Sequence, residues 1–236
     1  MGSQRTEQGQ LSFASHFPIL GKGPANRDVF CLHPDLHKKV FIFPTATNKA
    51  FVRLNSTLQH PLTDLTVCLR YHSPLFSSFP LFSYATRSKD NDFLIFKPDD
   101  KKYSVYVGGD KLDFTVPVRT IPAWEHICVS WNTWDGLVHF WRNGELLPRV
   151  GMRKGYRISH EASIILGQEQ DEFGGGFDIR QCFMGEMTEV NMWSRVLTTD
   201  EIQLVMREEP VPGNLINWRS LHYTAQDYML VTNTRP

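Results

Sequence analysis

The residues best equipped for chemistry sit in one stretch, Leu166-Gly167-Gln168-Glu169-Gln170-Asp171-Glu172-Phe173-Gly174-Gly175-Gly176-Phe177-Asp178-Ile179-Arg180-Gln181. Carboxylates and carboxamides crowd a run of glycines, and Arg180 is the single basic residue among them. Like charges in one loop raise its free energy unless a cation cancels them. Calcium suits that task because it takes roughly six to eight oxygens, mixing Asp and Glu carboxylates with amide carbonyls in a flexible geometry. Glu169, Gln170, Asp171, Asp178 and Gln181 supply such a mixture. The glycines let the backbone fold back through conformations closed to other residues. The stretch reads as a calcium loop; the competing reading is a solvated acidic turn, of which there are many.

Other chemistries fit less well. The D-x-[DN]-x-[DN]-G spacing of an EF-hand is absent. Glycoside hydrolysis needs two carboxylates flanking one bond. The E-x-D-x-E strand of some jelly-roll glucanases is met at Glu169 and Asp171 but broken by Phe173. Cys31, His33 and His37 have a zinc-like spacing, yet no further ligands accompany them.

The elements that must position the loop read as β-structure. From Lys38 onward short Val-, Ile-, Phe-, Tyr- and Trp-rich runs alternate with turn signals. The expected strands are 40–43, 65–71, 81–86, 93–97, 103–107, 111–118, 125–131, 137–142, 163–167 and 185–193. Asn143-Gly144 marks a hairpin, since both residues tolerate positive φ. One helix is expected after a Thr198 or Thr199 cap, with Asp200 and Glu201 in its first turn and Ile202, Val205 and Met206 on its apolar face. This pattern predicts an all-β antiparallel sandwich with one short helix. Residues 1–37 lack periodicity and are expected to form a separate irregular segment.

Composition narrows the function. The chain has 236 residues, formal net charge +0 and 41% hydrophobic residues. A neutral chain offers no general basic field for nucleic acid or anionic membrane, and its apolar content suffices for a substantial core. No apolar run is long enough to span a membrane, and residues 1–20 contain no apolar signal-peptide core. Cys68 and Cys128 fall inside expected strands, either as a disulfide or as two buried thiols. Cys31 and Cys182 have no evident partners. Asn55-Ser56-Thr57 is a glycosylation sequon with meaning only for an exported chain.

One motif resembles a known family. His126-Ile127-Cys128-Val129-Ser130-Trp131-Asn132-Thr133 fits the short pentraxin signature H-x-C-x-[ST]-W-x-[ST] at every fixed position. The likeness extends through Val40-Phe41-Ile42-Phe43-Pro44, Leu81-Phe82-Ser83-Tyr84, Asp90-Asn91, Leu166–Asp171 and Asn217-Trp218. It implies a two-sheet jelly roll over residues 38–236, a Cys68–Cys128 disulfide, a cyclic homopentamer and two calcium ions per protomer. By the same resemblance Asp90 and Asn91, expected on the loop before strand 93–97, join Glu169, Gln170 and Asp171 as calcium ligands. Asp178 and Gln181 serve the second, looser ion. Four carboxylates then balance two calcium ions, leaving coordination positions for a phosphate or carboxylate oxygen.

The resemblance also implies a ligand pocket walled by Leu94, Phe96 and Tyr106, with Lys111 beside it. Choline-binding members have a small residue where Tyr106 stands and a carboxylate where Lys111 stands. Here a phenol fills the recess and an ammonium repels a quaternary ammonium. Phosphoethanolamine, phosphorylated or carboxylated glycans and polyanions are therefore expected over phosphocholine. The implied role is a secreted, non-enzymatic, calcium-dependent recognition protein of innate immunity and the acute phase, with complement and Fc receptors as further partners. A jelly-roll glycoside hydrolase and a laminin-G-like adhesion module are the alternatives.

Overall fold

A computed structural model describes residues 35–118 and 120–234. Cys31 and His33 lie outside the described residues, as does most of the segment expected to be irregular. In chain order the strands are β1 (Lys39–Phe43), β2 (Phe51–Leu54), β3 (Asp64–His72), β4 (Phe79–Thr86), β5 (Lys89–Asp99), β6 (Lys102–Val107), β7 (Asp110–Thr115) and β8 (Glu125–Asn132). They continue as β9 (Leu137–Arg142), β10 (Glu145–Leu146), β11 (Val150–Gly151), β12 (Ala162–Leu166), β13 (Gly185–Trp193), β14 (Tyr223–Gln226) and β15 (Leu230–Asn233). Among the described residues a single α-helix, α1, spans Thr199–Met206.

Two antiparallel sheets result. The first runs β10-β9-β8-β3-β13-β1-β15, with β11 also paired to β9; the second runs β14-β2-β12-β4-β5-β6-β7. Between them lies one core containing Phe41, Phe43, Tyr71, Phe79, Phe82, Phe93, Tyr103 and Trp131, each at most 1% exposed. Alternation accounts for the sidedness: on β7, Phe114 faces inward at 4% exposure while its neighbours Asp113 and Thr115 are exposed. Leu36, just before β1, also enters this core, and its carbonyl accepts the Trp218 indole N–H at 2.9 Å.

Helix α1 packs on the first sheet. Ile202 and Val205 sit over Trp141, Trp193 and the sulfurs of Cys68 and Cys128. Those cysteines face each other in the β3–β8 register and form the disulfide. Thr198 and Glu201 make a reciprocal capping box, which fixes where the helix starts.

The structure corrects several expected boundaries. Strand β5 starts at Lys89, so Asp90 and Asn91 belong to the strand and not to a loop before it. The cause is the turn Arg87-Ser88, short enough for Thr86 to pair with Lys89. Strand β12 stops at Leu166 because Gly167 has φ +92, and a side chain there would strike the Phe43 ring. Strand β7 stops at Thr115, ahead of Pro117. Strands β2, β11, β14 and β15 add to the expected set; β15 is exposed throughout, so no alternating burial marks it.

Candidate metal centre

The acidic loop leaves β12 on the second sheet and folds back beside β4 and β5. Its anchor is the Gln170 side chain, fully buried. The amide donates to Ser83 O, Ser83 Oγ and Ser163 O at 3.0–3.2 Å, and its Oε1 accepts the Gly174 N–H at 3.0 Å. Every polar atom of that side chain is thereby engaged, and its main-chain carbonyl is left for other use. Arg53 on β2 adds a clamp, donating to Ser163 Oγ and Gly174 O. Gly176 closes the turn at φ +72, where a Cβ would lie 2.9 Å from the Asp171 Cβ. Arg87, on the β4–β5 turn, stacks over Phe173 at 4.8 Å.

Glu169 is the centre of the arrangement, 3% exposed. Burial pushes its carboxyl up to about 7, helped by Asp171, Asp90 and Asp178, while a hydrogen bond from the Asn91 side chain opposes the rise. The fold thus brings Asp90, Asn91, Asp171 and Asp178 from two distant chain segments within electrostatic reach of one buried carboxyl. Asn91 and Asp90 are held by backbone bonds: Asn91 N–H donates to Asp90 Oδ1, and Gly109 N–H donates to Asn91 O. Next to them Asp92, fully buried, ties β5 to the segment after β11 by accepting from Tyr156 Oη, Thr86 Oγ1 and the Ser159 N–H. Sequence reading missed Asp92 and Arg53 as positioning residues; apart from Thr86, their partners are remote in sequence.

Besides Gln168 Oε1, two buried acceptors here have no hydrogen-bond donor, Glu169 Oε2 and Asn91 Oδ1. A buried oxygen without a donor is unfavourable, and a hard cation would satisfy both. That donor set, with the Gln170 carbonyl and Asp171, has the chemistry calcium requires. Among the described residues, the one set of three His, Cys, Asp or Glu ligand atoms lying within 4.8 Å of one another is Cys68, His126 and Cys128. The disulfide consumes both its sulfurs, so it is no metal site. No three of the loop's carboxylates meet that limit.

Asp178 and Gln181 bound a 3-10 turn, Ile179–Gln181, which Asp178 caps. Asp178 is already occupied: its carboxylate accepts the Arg180 N–H at 2.9 Å and the Arg180 Nη2 at 2.5 Å. Cys182, reduced and buried, follows directly.

The pocket residues fall in register. Leu94, Tyr106 and Lys111 lie side by side across β5, β6 and β7, and Phe96, Ser104 and Asp113 form the next row. Leu94 and Phe96 are buried at 2% and 8% exposure, whereas Lys111 is exposed. The Tyr106 hydroxyl is pushed up by burial, Asp113 and Glu169, which places the phenol within electrostatic reach of the Glu169 carboxyl. Lys111 does not act alone: its ammonium lies 3.2 Å from Asp113, which also pairs with Lys102 at 3.2 Å and accepts from Ser104 Oγ at 2.6 Å. Asn55 follows β2 and is exposed.

Comparison with known proteins agrees over nearly all of this architecture. A family model described as the Pentaxin family matches residues 39–233. The chain is 44% identical over 204 residues to serum amyloid P-component of Cavia porcellus, covering 86% of this chain and 91% of that one. It is 44% identical over 194 residues to C-reactive protein of Homo sapiens, covering 81% and 86%. The solved structure of a native heptameric SAP-like pentraxin from Limulus polyphemus superposes with TM-score 0.77 at 27% identity, covering 86% of this chain and 98% of that one. On sequence and on fold alike, the chain belongs to the pentraxin family.

Proposed function

We propose that this protein is a secreted, calcium-dependent recognition protein of innate immunity that binds anionic head groups and makes or breaks no covalent bond. The observation that carries the reading is the pair of buried, donorless oxygens, Glu169 Oε2 and Asn91 Oδ1, set among further carboxylates. Asp90, Asn91, Glu169, Gln170 and Asp171 would hold one calcium ion, and Asp178 and Gln181, with Glu169 and Asp171 shared, would hold a second. Calcium, when bound, supplies positive charge and open coordination positions for phosphate or carboxylate oxygen. The chain's own residues then select the rest of the ligand.

Equal identity to a serum amyloid P-component and to a C-reactive protein leaves the choice of ligand to the pocket. Tyr106 fills the recess between Leu94 and Lys111. Lys102 and Lys111 share one carboxylate, Asp113, so the rim keeps one unit of positive charge. Phosphoethanolamine, carboxylated glycans and polyanions are favoured over phosphocholine. A ring-shaped homo-oligomer, a pentamer by family habit, would present several such faces together and gain avidity. Complement and Fc receptors are the expected effectors.

Retention on phosphoethanolamine and phosphocholine supports, each with calcium and with chelator, tests this. The expected result is calcium-dependent retention on the first and little on the second. Stronger retention on phosphocholine would overturn the pocket assignment; retention unaffected by chelator would overturn the metal centre. Glycan cleavage without calcium would revive the hydrolase alternative.

A further inference from the structure

The donors assigned to the two ions differ in what they already hold. Glu169 Oε2 and Asn91 Oδ1 are buried and lack a donor. Asp178, by contrast, is taken on both oxygens. Its Oδ1 accepts the Arg180 backbone N–H at 2.9 Å and Nε at 3.1 Å; its Oδ2 accepts Nε at 2.9 Å and Nη2 at 2.5 Å. This forked guanidinium–carboxylate geometry is the strong form of the ion pair. The partners are two residues apart in one turn, so the pair forms locally without closing a long loop. The Arg180 side chain is 85% exposed, which leaves it free to swing away when something better arrives.

We propose that Arg180 is a built-in cation holding the Asp178 carboxylate in place of the second calcium, so that a protomer fills its two positions in succession. The inference rests on the calcium reading above. The position built from Glu169, Asn91, Asp90, Gln170 and Asp171 fills first. The position that depends on Asp178 and Gln181 fills only when calcium is concentrated enough to displace the guanidinium. The charges give this order a consequence for recognition. Asp90, Glu169, Asp171 and Asp178 carry four negative charges. One calcium and Arg180 leave the centre one charge negative; a second calcium in place of the guanidinium brings it to neutral. Capture of an anion, disfavoured while that negative charge remains, is thereby tied to the second ion.

Calcium titrations followed by native mass spectrometry, with ions counted per protomer, test the idea in the wild type, Arg180→Ser, Asp178→Asn and the double variant. The wild type should load in two steps. Arg180→Ser should lower the calcium needed for the second step about fivefold and leave the first unmoved. Asp178→Asn should remove the second step alone, and adding Arg180→Ser to it should change nothing further. Unfolding in chelator should be the same for wild type and Arg180→Ser, showing that the surface change leaves the fold intact. A second step at equal calcium in wild type and Arg180→Ser would overturn the role of Arg180, as would simultaneous loading of both ions in the wild type. Absence of bound calcium in every protein would remove the calcium reading together with this inference.

Discussion

The outer faces of the two sheets share strand geometry and differ in how their polar groups are satisfied. On the first sheet α1 lies over a disulfide, begins in a capping box, and is braced by a forked Arg195–Glu201 pair at 2.7 and 2.8 Å. Buried polar atoms without hydrogen-bond partners in its strands are nitrogens and a hydroxyl, such as Arg70 Nε, Trp141 Nε1, His126 Nδ1 and Ser130 Oγ. On the second sheet the donorless atoms near the acidic loop are all acceptor oxygens: Asn91 Oδ1, Gln168 Oε1 and Glu169 Oε2. The first face is completed by covalent and hydrogen-bonded contacts within the chain. The second gathers acceptors and negative charge that the chain does not complete, and that imbalance is what supports the proposed metal centre.

This contrast can be broken or sharpened by experiment. The largest effect should come from the closed face. Replacing Cys68 and Cys128 by alanine removes a cross-link over 60 residues and should lower stability by about 4 kcal/mol in urea unfolding, with calcium binding retained by the folded fraction. If stability held while calcium binding fell, the two faces would not be independent.

The open face should respond to pH in the absence of metal. The Glu169 carboxyl is raised from 4.5 to about 7 in the folded protein. The folded state therefore keeps a proton that the unfolded chain gives up. This stabilisation is complete below about pH 4.5 and is lost as pH rises through about 7. Stability in chelator should fall by up to about 3 kcal/mol across that interval. Glu169→Gln should flatten the profile, and calcium should reverse the loss at pH 7.5. A profile unchanged by Glu169→Gln would separate the shift from this residue.

Asp171→Asn should weaken calcium-dependent retention on phosphoethanolamine about hundredfold, with the unfolding midpoint in chelator unchanged or raised. Undiminished retention would remove Asp171 from the metal centre. The smallest effect again belongs to the closed face: Thr198→Ala deletes the cap and should cost about 1 kcal/mol. No change in ligand retention should accompany it. A loss of retention there would join the two faces energetically.

Much of this was legible in the sequence, for local reasons. The hairpin at Asn143-Gly144, a helix capped at Thr198 or Thr199, and strands β9 and β13 follow from turn chemistry, capping and alternation within a few residues; the structure has them, with Thr198 as the cap. The Cys68–Cys128 pairing was implied by resemblance and by the strand setting of both residues, and the register places them opposite one another. Strand β15 was not legible because it is exposed and held by backbone pairing to β1, which leaves no side-chain pattern. Asp113 escaped notice as the partner of Lys111 because only the sheet face they share brings them together. The same holds for Asp92, whose partners come from the neighbouring turn and a distant loop.

The sequence by itself determined the chemistry on offer: a carboxylate-rich glycine loop, an Asp90-Asn91 pair, two strand cysteines and the family signature. Residue type and short-range spacing are enough to specify such things. Only the tertiary structure decided which of those groups are in use. Glu169 is buried with one oxygen lacking a donor, Asp178 is held by Arg180, and Lys111 is held by Asp113. Those differences depend on burial and on partners supplied by the folded surroundings, and a carboxylate has the same letter in the sequence whether it waits for a cation or already has one.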